Sequence, residues 1–170
     1  TPTSKHYLQV RDASGDFTID KKKEFRIRFG QNKIPFGFEN LQSSSNRLPL
    51  DRDDAINSAA FNERDLGVFF FWAPERKRKM FRELTENHLK GSGDYGCFGL
   101  GIYNGQTANK PELNDNRHVV ARFTWPTEVG HRQIIEPGIQ AYTGLFTLPK
   151  DQLSTGVKKR ADLTYTDRRV

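Results

Sequence analysis

The stretch DLGVFFFWAP, residues 65–74, constrains this chain more than any other. A continuous apolar run of this length, bounded by charge and by proline, reads as a central β-strand. The one convincing helix pattern follows at once. In PERKRKMFRELTENHLKG (74–91), Pro74 suits the first turn, Glu75 the positive N-terminal end, and Gly91 the residue past the last turn. Met80, Phe81, Leu84 and Leu89 fall near one face at helical spacing. The RKRK run at 76–79 sits where the helix dipole gives cations nothing, so it is either merely solvated or serves a partner.

The rest of the chain is strand-rich. Residues 5–30 give two short strand candidates, and in the second Phe25, Ile27 and Phe29 alternate with Arg26 and Arg28. Further strands are expected at 97–103, 118–125, 132–135 and 142–148. Residues 30–65 show no sustained period and read as a long loop, a feature that is usually functional or mobile. The expectation is a mainly β fold with one or two helices, a barrel or a sandwich. One domain would span 1–150, followed by a polar C-terminal extension or linker stub at 151–170.

The net charge is +6 and the isoelectric point about 9.5, which makes polyanions plausible partners: nucleic acid, acidic glycan or an anionic membrane surface. Cys97 is the single cysteine, which excludes an internal disulfide and a multi-cysteine zinc site. No apolar run approaches 18 residues, and neither a signal-peptide pattern nor a glycosylation sequon is present. The expectation from these features is an intracellular protein with no membrane partner. His6, His88, His118 and His131 have no metal spacing, and lone histidines are more often structural. Asp51, Asp53 and Asp54 are interrupted by Arg52 and lack acid partners; Glu83 and Glu86 read as solvated partners of Arg82 and Lys79. No catalytic set, metal site or cofactor is expected.

The feature that asks for a function is the insert between two apolar runs, Asn104 to Arg117. Hairpins turn in two to five residues. This one takes fourteen, carrying Asn104, Gln106, Thr107, Asn109, Lys110, Glu112, Asn114, Asp115, Asn116 and Arg117. Such side chains read base edges: Arg or Lys guanine, Asn or Gln adenine, Asp or Glu the cytosine amino group. A hydrophilic hairpin tip is the plain alternative. A second amide-rich connection holds Asn57, Asn62, Glu63, Arg64 and Asp65.

Four segments in order carry a resemblance. LGVFFFWAPERKRKMFREL joins an apolar strand to an amphipathic helix. A strand ending IYN leads to the polar arm and Asn114-Asp115-Asn116-Arg117. A strand then reaches Arg122 and Trp125, and EPGIQAYTGLFTL closes the set. Over residues 62–148 this order resembles the B-three-type DNA-binding pseudobarrel, as in the N-terminal effector domain of EcoRII-type restriction endonucleases. The resemblance implies an open seven-stranded pseudobarrel gripping double-stranded DNA with two major-groove arms. The C-terminal arm would be Asn109, Lys110, Glu112, Asn114, Asp115, Asn116 and Arg117. Candidates for the N-terminal arm are Arg28, Gln31, Asn32, Lys33, Asn62 and Arg64, with phosphate contacts from Arg26, Arg76, Lys77, Arg78 and Lys79. It also implies a cytoplasmic bacterial protein in which a non-cleaving specificity domain, monomeric when isolated, is attached to a catalytic domain in the full-length protein, with a CCWGG-type site. DLGVFFFWAP, GCFGLGIYNG and NRHVVARF resemble legume-type lectin strands as well, so a glycan-binding sandwich is the alternative, although Arg122-Phe123-Thr124 stands where acidic metal ligands would be wanted.

Overall fold

The computed structural model describes residues 10–43, 63–110, 114–130, 133–148, 158–159 and 165–169. Its elements in chain order are β1 (Ala13–Thr18), β2 (Phe25–Lys33), α1 (Phe38–Leu41), β3 (Arg64–Trp72), α2 (Glu75–Glu86), a 3-10 turn (Gly93–Tyr95), β4 (Phe98–Tyr103), β5 (His118–Thr124), β6 (Thr127–Val129), β7 (Gln133–Ile135), β8 (Gly138–Leu148), β9 (Lys158–Lys159) and β10 (Tyr165–Arg169). The fold is mainly β, as the sequence indicates.

Six strands, β1-β2-β3-β4-β5-β8, form an antiparallel sheet, each pairing with its neighbour in that order. The order continues from β8 to β10 and β9, while β6 and β7 make a separate hairpin. β1 and β9 stand at the edges, and the described residues include no closed barrel. Successive strands run up and down, so the connections lie at two ends. At one end are the Ile19–Glu24 turn, α2, and the β6–β7 hairpin; at the other are residues 34–43, 104–110 and 114–117.

The helix forms where its apolar positions demand, but it is shorter than the sequence suggests. It ends at Glu86, because Asn87 leaves helical geometry and His88 takes a positive φ of 58°. Phe81 and Leu84 bury against Ala73 and Cys97 at one end of the sheet. The described part of the stretch read as one long loop from residue 30 is not loop throughout. β2 runs on to Lys33, and residues 34–43 then fold across one face of the sheet. Ile34 joins Phe69, Phe71, Tyr103 and Val120 in the main core. The Gly37 N–H donates to Gln140 Oε1 (2.8 Å), and Gln42 Nε2 to the Gly91 carbonyl (2.9 Å). Close packing dictates small residues beneath: a Cβ on Gly101 would lie 2.3 Å from Phe69 Cδ1.

Candidate functional site

The registers place side chains in rows across the sheet. On the outer face Phe25, Trp72, Phe98, Phe123 and Ile139 stand opposite one another in succession. The next row is Ile27, Phe70, Leu100, Ala121 and Ala141, and the third is Phe29, Val68, Ile102, Val119 and Thr143. Of these fifteen positions only Thr143 is polar. Most are open to the surroundings: Phe29 is 55% exposed, Val68 55%, Ile102 50% and Ile139 74%.

The inner face reverses the usual assignment. Asp16, Arg26, Arg28, Asn32, Asp65, His118, Arg122 and Thr124 share it with Phe69, Phe71, Tyr103 and Val120. Among the described residues, nine polar or charged side chains are buried, as many as the apolar ones, while eighteen large apolar side chains are exposed. A protein surrounded by water rarely shows a contiguous apolar patch beyond a few hundred Å². Period-two strands with apolar residues outside and polar residues inside are the pattern of a β-sheet facing hydrocarbon. No described helix is long and apolar enough to cross a membrane.

At one end the outer face carries an aromatic rim. Trp72 stacks on Trp125 with ring centres 6.4 Å apart, Phe123 on Trp125 at 6.1 Å, and Phe25 on Phe70 at 6.1 Å. Tryptophan, whose ring is apolar but carries an N–H donor, gathers at membrane–water interfaces.

The inner face is built around arginine. Asp16 accepts from Arg28 Nε (2.6 Å) and Nη2 (2.8 Å) and from Arg26 Nη1 (3.2 Å), so one carboxylate holds two guanidiniums. Arg26 also donates to the Asp94 carbonyl. Both guanidiniums lie over the Phe71 ring, 5.4 and 5.8 Å from its centre. Beside them a cavity of about 470 Å³ opens between the sheet and α2, with Lys23, Arg26, Arg78 and Arg82 among its lining, and Asp16, Glu24 and Asp94 as its carboxylates. Arg122 is a structural exception, 4% exposed and donating to the Gly96 carbonyl (3.1 Å) and Ser92 Oγ (2.6 Å), with Glu136 3.9 Å away. Ser92 Oγ in turn donates to Glu136. Beyond the strands, burial pushes the Tyr95 hydroxyl up to about 12 and the Cys97 thiol up to about 11. No group of metal-ligating side chains occurs among the described residues.

The insert expected to probe base pairs is folded back on the sheet instead. Buried Asp65 accepts the N–H groups of Gly105 (2.7 Å) and Thr107 (3.1 Å), and Gln106 and Thr107 are buried. Asn109 Nδ2 donates to the Val10 carbonyl (2.9 Å) and Asn114 Nδ2 to the Leu145 carbonyl (2.5 Å), while Asn116 Oδ1 accepts the Leu145 N–H (2.8 Å). Lys110, Asp115 and Arg117 are exposed, whereas Glu112 lies outside the described residues. Asn62, His6, His131, Asn57 and the Asp51–Asp54 group also fall outside them.

Gln31 donates to the Val10 and Arg11 carbonyls, and Asn32 is buried. Lys33 donates to the carbonyls of Asn40 (3.0 Å) and Gln42 (2.6 Å). Arg64 is clamped by Asp12 (2.9 Å) and Glu63 (3.0 Å). Arg78 donates to the Lys22 and Lys23 carbonyls, and Lys79 pairs with Glu75 (3.3 Å). The sheet puts the 104–117 insert at one end and Arg76–Lys79 at the other, so these sets do not converge on one surface. Sequence reasoning missed the outer apolar rows; their signal, the same alternation in β2, β4 and β5, lies in the sequence but carries no label for which face meets water.

A family model described as phosphate-selective porin O and P matches residues 1–169. No curated protein and no solved structure matches. A match over that span overturns the B-three and EcoRII resemblance, and with it sequence-specific DNA binding, the restriction-endonuclease reading and the lectin alternative. It likewise overturns double-stranded DNA as partner, the exclusion of a membrane, the expectation of an isolated monomer and the cytoplasmic location. The physical reason for the error is visible in the fold. The basic composition serves the inner face and one rim, and the amides of the insert close their own backbone hydrogen bonds.

Proposed function

We propose that this chain, which belongs to the phosphate-selective porin O and P family, forms wall of an outer-membrane β-barrel pore that passes phosphate and similar anions. The observation that carries the reading is the set of three apolar rows across β2, β3, β4, β5 and β8, exposed on one face and backed by a polar one. In hydrocarbon every backbone group needs a partner, so a sheet whose edges are β1 and β9 requires further strands to complete a wall. β2 and β3 have nine residues each and β8 has eleven, within the range of about nine to eleven that spans a bilayer when tilted.

Anion preference follows from the inner face. Arg26 and Arg28 are matched by Asp16 and Asp94, and the cavity beside them adds Lys23, Arg78 and Arg82 against Glu24, so the balance of charge toward the inner space is positive. Their positions are fixed by hydrogen bonds before any anion arrives, so little ordering cost opposes binding. Residues 34–43, folded across the inner face, narrow the passage.

The test is conductance across a planar lipid bilayer with salt gradients of chloride and of phosphate. Discrete steps with a reversal potential on the anion side are expected, and Arg28→Gln should move that potential toward zero. Absence of channels, or cation selectivity in the unaltered protein, refutes the reading.

A further inference from the structure

We propose that the basic ledge beside the aromatic rim binds the phosphodiester headgroups of anionic phospholipids; the proposal rests on the membrane-wall reading above. The ledge is made of two pieces joined rigidly. In the turn after β1, the Lys23 N–H donates to the Asp20 carbonyl (3.0 Å), and the Phe25 N–H donates to Asp20 Oδ1 (2.9 Å), which holds that carboxyl below its usual range. The first turn of α2 docks on it. Arg78 donates to the carbonyls of Lys22 (3.0 Å) and Lys23 (2.6 Å), and Glu24 Oε1 accepts the Glu75 N–H (2.9 Å).

Residues 20–24 and 75–79 together carry seven cations against three carboxylates. Lys21, Lys22, Lys23, Arg76 and Lys79 are exposed. None gains from the helix dipole, whose positive end lies here. The fold has nonetheless assembled them at one place, directly past the row Phe25, Trp72, Phe98 and Phe123. Lys77 marks the junction: its ammonium sits 4.8 Å from the centre of the Trp125 ring and donates to the Pro126 carbonyl (2.5 Å). Hydrocarbon contact therefore passes into fixed positive charge at the level where lipid phosphates lie. Basic clusters next to a membrane-embedded segment attract anionic headgroups, each lysine or arginine worth about a fivefold gain in association. Charge complementarity and the continuity of the ledge with the lipid-facing rim select a lipid as the occupant.

The protein's two tryptophans, Trp72 and Trp125, both stand at this rim and report on it. The full chain is reconstituted in mixed vesicles in which either phosphatidylglycerol or phosphatidylcholine carries brominated acyl chains, at equal mole fraction, and tryptophan quenching is compared. Brominated phosphatidylglycerol is expected to quench with an apparent association roughly fivefold or more above brominated phosphatidylcholine. The preference should disappear in the Lys21→Gln/Lys22→Gln/Arg76→Gln variant, which leaves Lys23 in the inner cavity untouched. In the unaltered protein it should also fall as salt rises, a readout that needs no variant to fold. Equal quenching by both lipids overturns the headgroup site while the membrane wall stands. Quenching by neither overturns the wall itself and the ledge with it. A preference abolished by millimolar inorganic phosphate assigns the ledge to free phosphate and overturns the lipid.

Discussion

Replacing Leu100 by arginine separates hydrocarbon from water on the outer face. Leu100 lies on β4 in the middle of the three apolar rows, flanked in register by Phe70 and Ala121, and is 42% exposed. If water covered this face, the substitution would be nearly silent, because an arginine stem covers the neighbours as leucine does and surface changes stay within about 0.5 kcal/mol. If lipid covers it, an arginine at mid-depth costs about 2–4 kcal/mol. That lowers the folding equilibrium constant by roughly 30- to 800-fold, at tenfold per 1.4 kcal/mol. Ile139→Arg provides the depth control: Ile139 is more exposed, at 74%, but stands in the row at the rim, where the cost falls to about 0–1 kcal/mol. The assay is urea unfolding in phosphatidylcholine vesicles, followed by tryptophan emission. Leu100→Arg should lower the midpoint strongly and Ile139→Arg little. Equal midpoints for Leu100→Arg and the unaltered protein, together with solubility in the absence of detergent, refute the argument for a lipid-facing sheet.

Three further outcomes follow from buried groups. Arg122→Ala leaves Glu136 and Ser92 without their cation and should cost about 3–5 kcal/mol, most of it recovered by Arg122→Met with Glu136→Gln; an unchanged urea midpoint for the single variant refutes the pairing. Gly144→Ala would set a methyl 2.0 Å from His118 Cδ2, and overpacking of this kind costs about 1–3 kcal/mol, read again as a shift of the midpoint. Tyr95 and Cys97 stay neutral in the fold to about pH 12 and 11, whereas in the unfolded chain they ionise near their ordinary 10.0 and 9.0. Stability should thus be level below pH 9 and fall between pH 9 and 12, by about 2–3 kcal/mol for each group. Tyr95→Phe should remove the upper part of that fall, and an identical pH profile in the variant contradicts the assignment.

The elements of this fold are legible in the sequence because local physics decides them. The apolar run at 65–72, the alternation at 25–29 and the helix entry at Pro74 all appear in the structure close to where they are expected. β8 exceeds its expected span because Gly138–Ala141, unremarkable in composition, is recruited by pairing with β5, a contact from outside its own sequence. The short helix at Phe38–Leu41 carries no period to read in four residues.

What period-two alternation cannot state is the solvent on either side. The pattern Phe25-Arg26-Ile27-Arg28-Phe29 is the same string whether phenylalanine faces a core and arginine faces water, or phenylalanine faces lipid and arginine faces a wet interior. Two features break that symmetry. Gly99 and Gly101 alternate with Leu100 and Ile102 on β4, so the apolar residues stand on the face that no described element covers, and the glycines lie under Phe69 and Phe71 on the packed one. The aromatics at strand ends, Trp72, Phe98, Phe123 and Trp125, then fall at a common level once the register is known. Neither feature assigns a face until the strands are paired. The polar insert misleads for the complementary reason. Amide side chains that can read base edges also satisfy backbone groups, and here the second use dominates, as Asn109, Asn114 and Asn116 show.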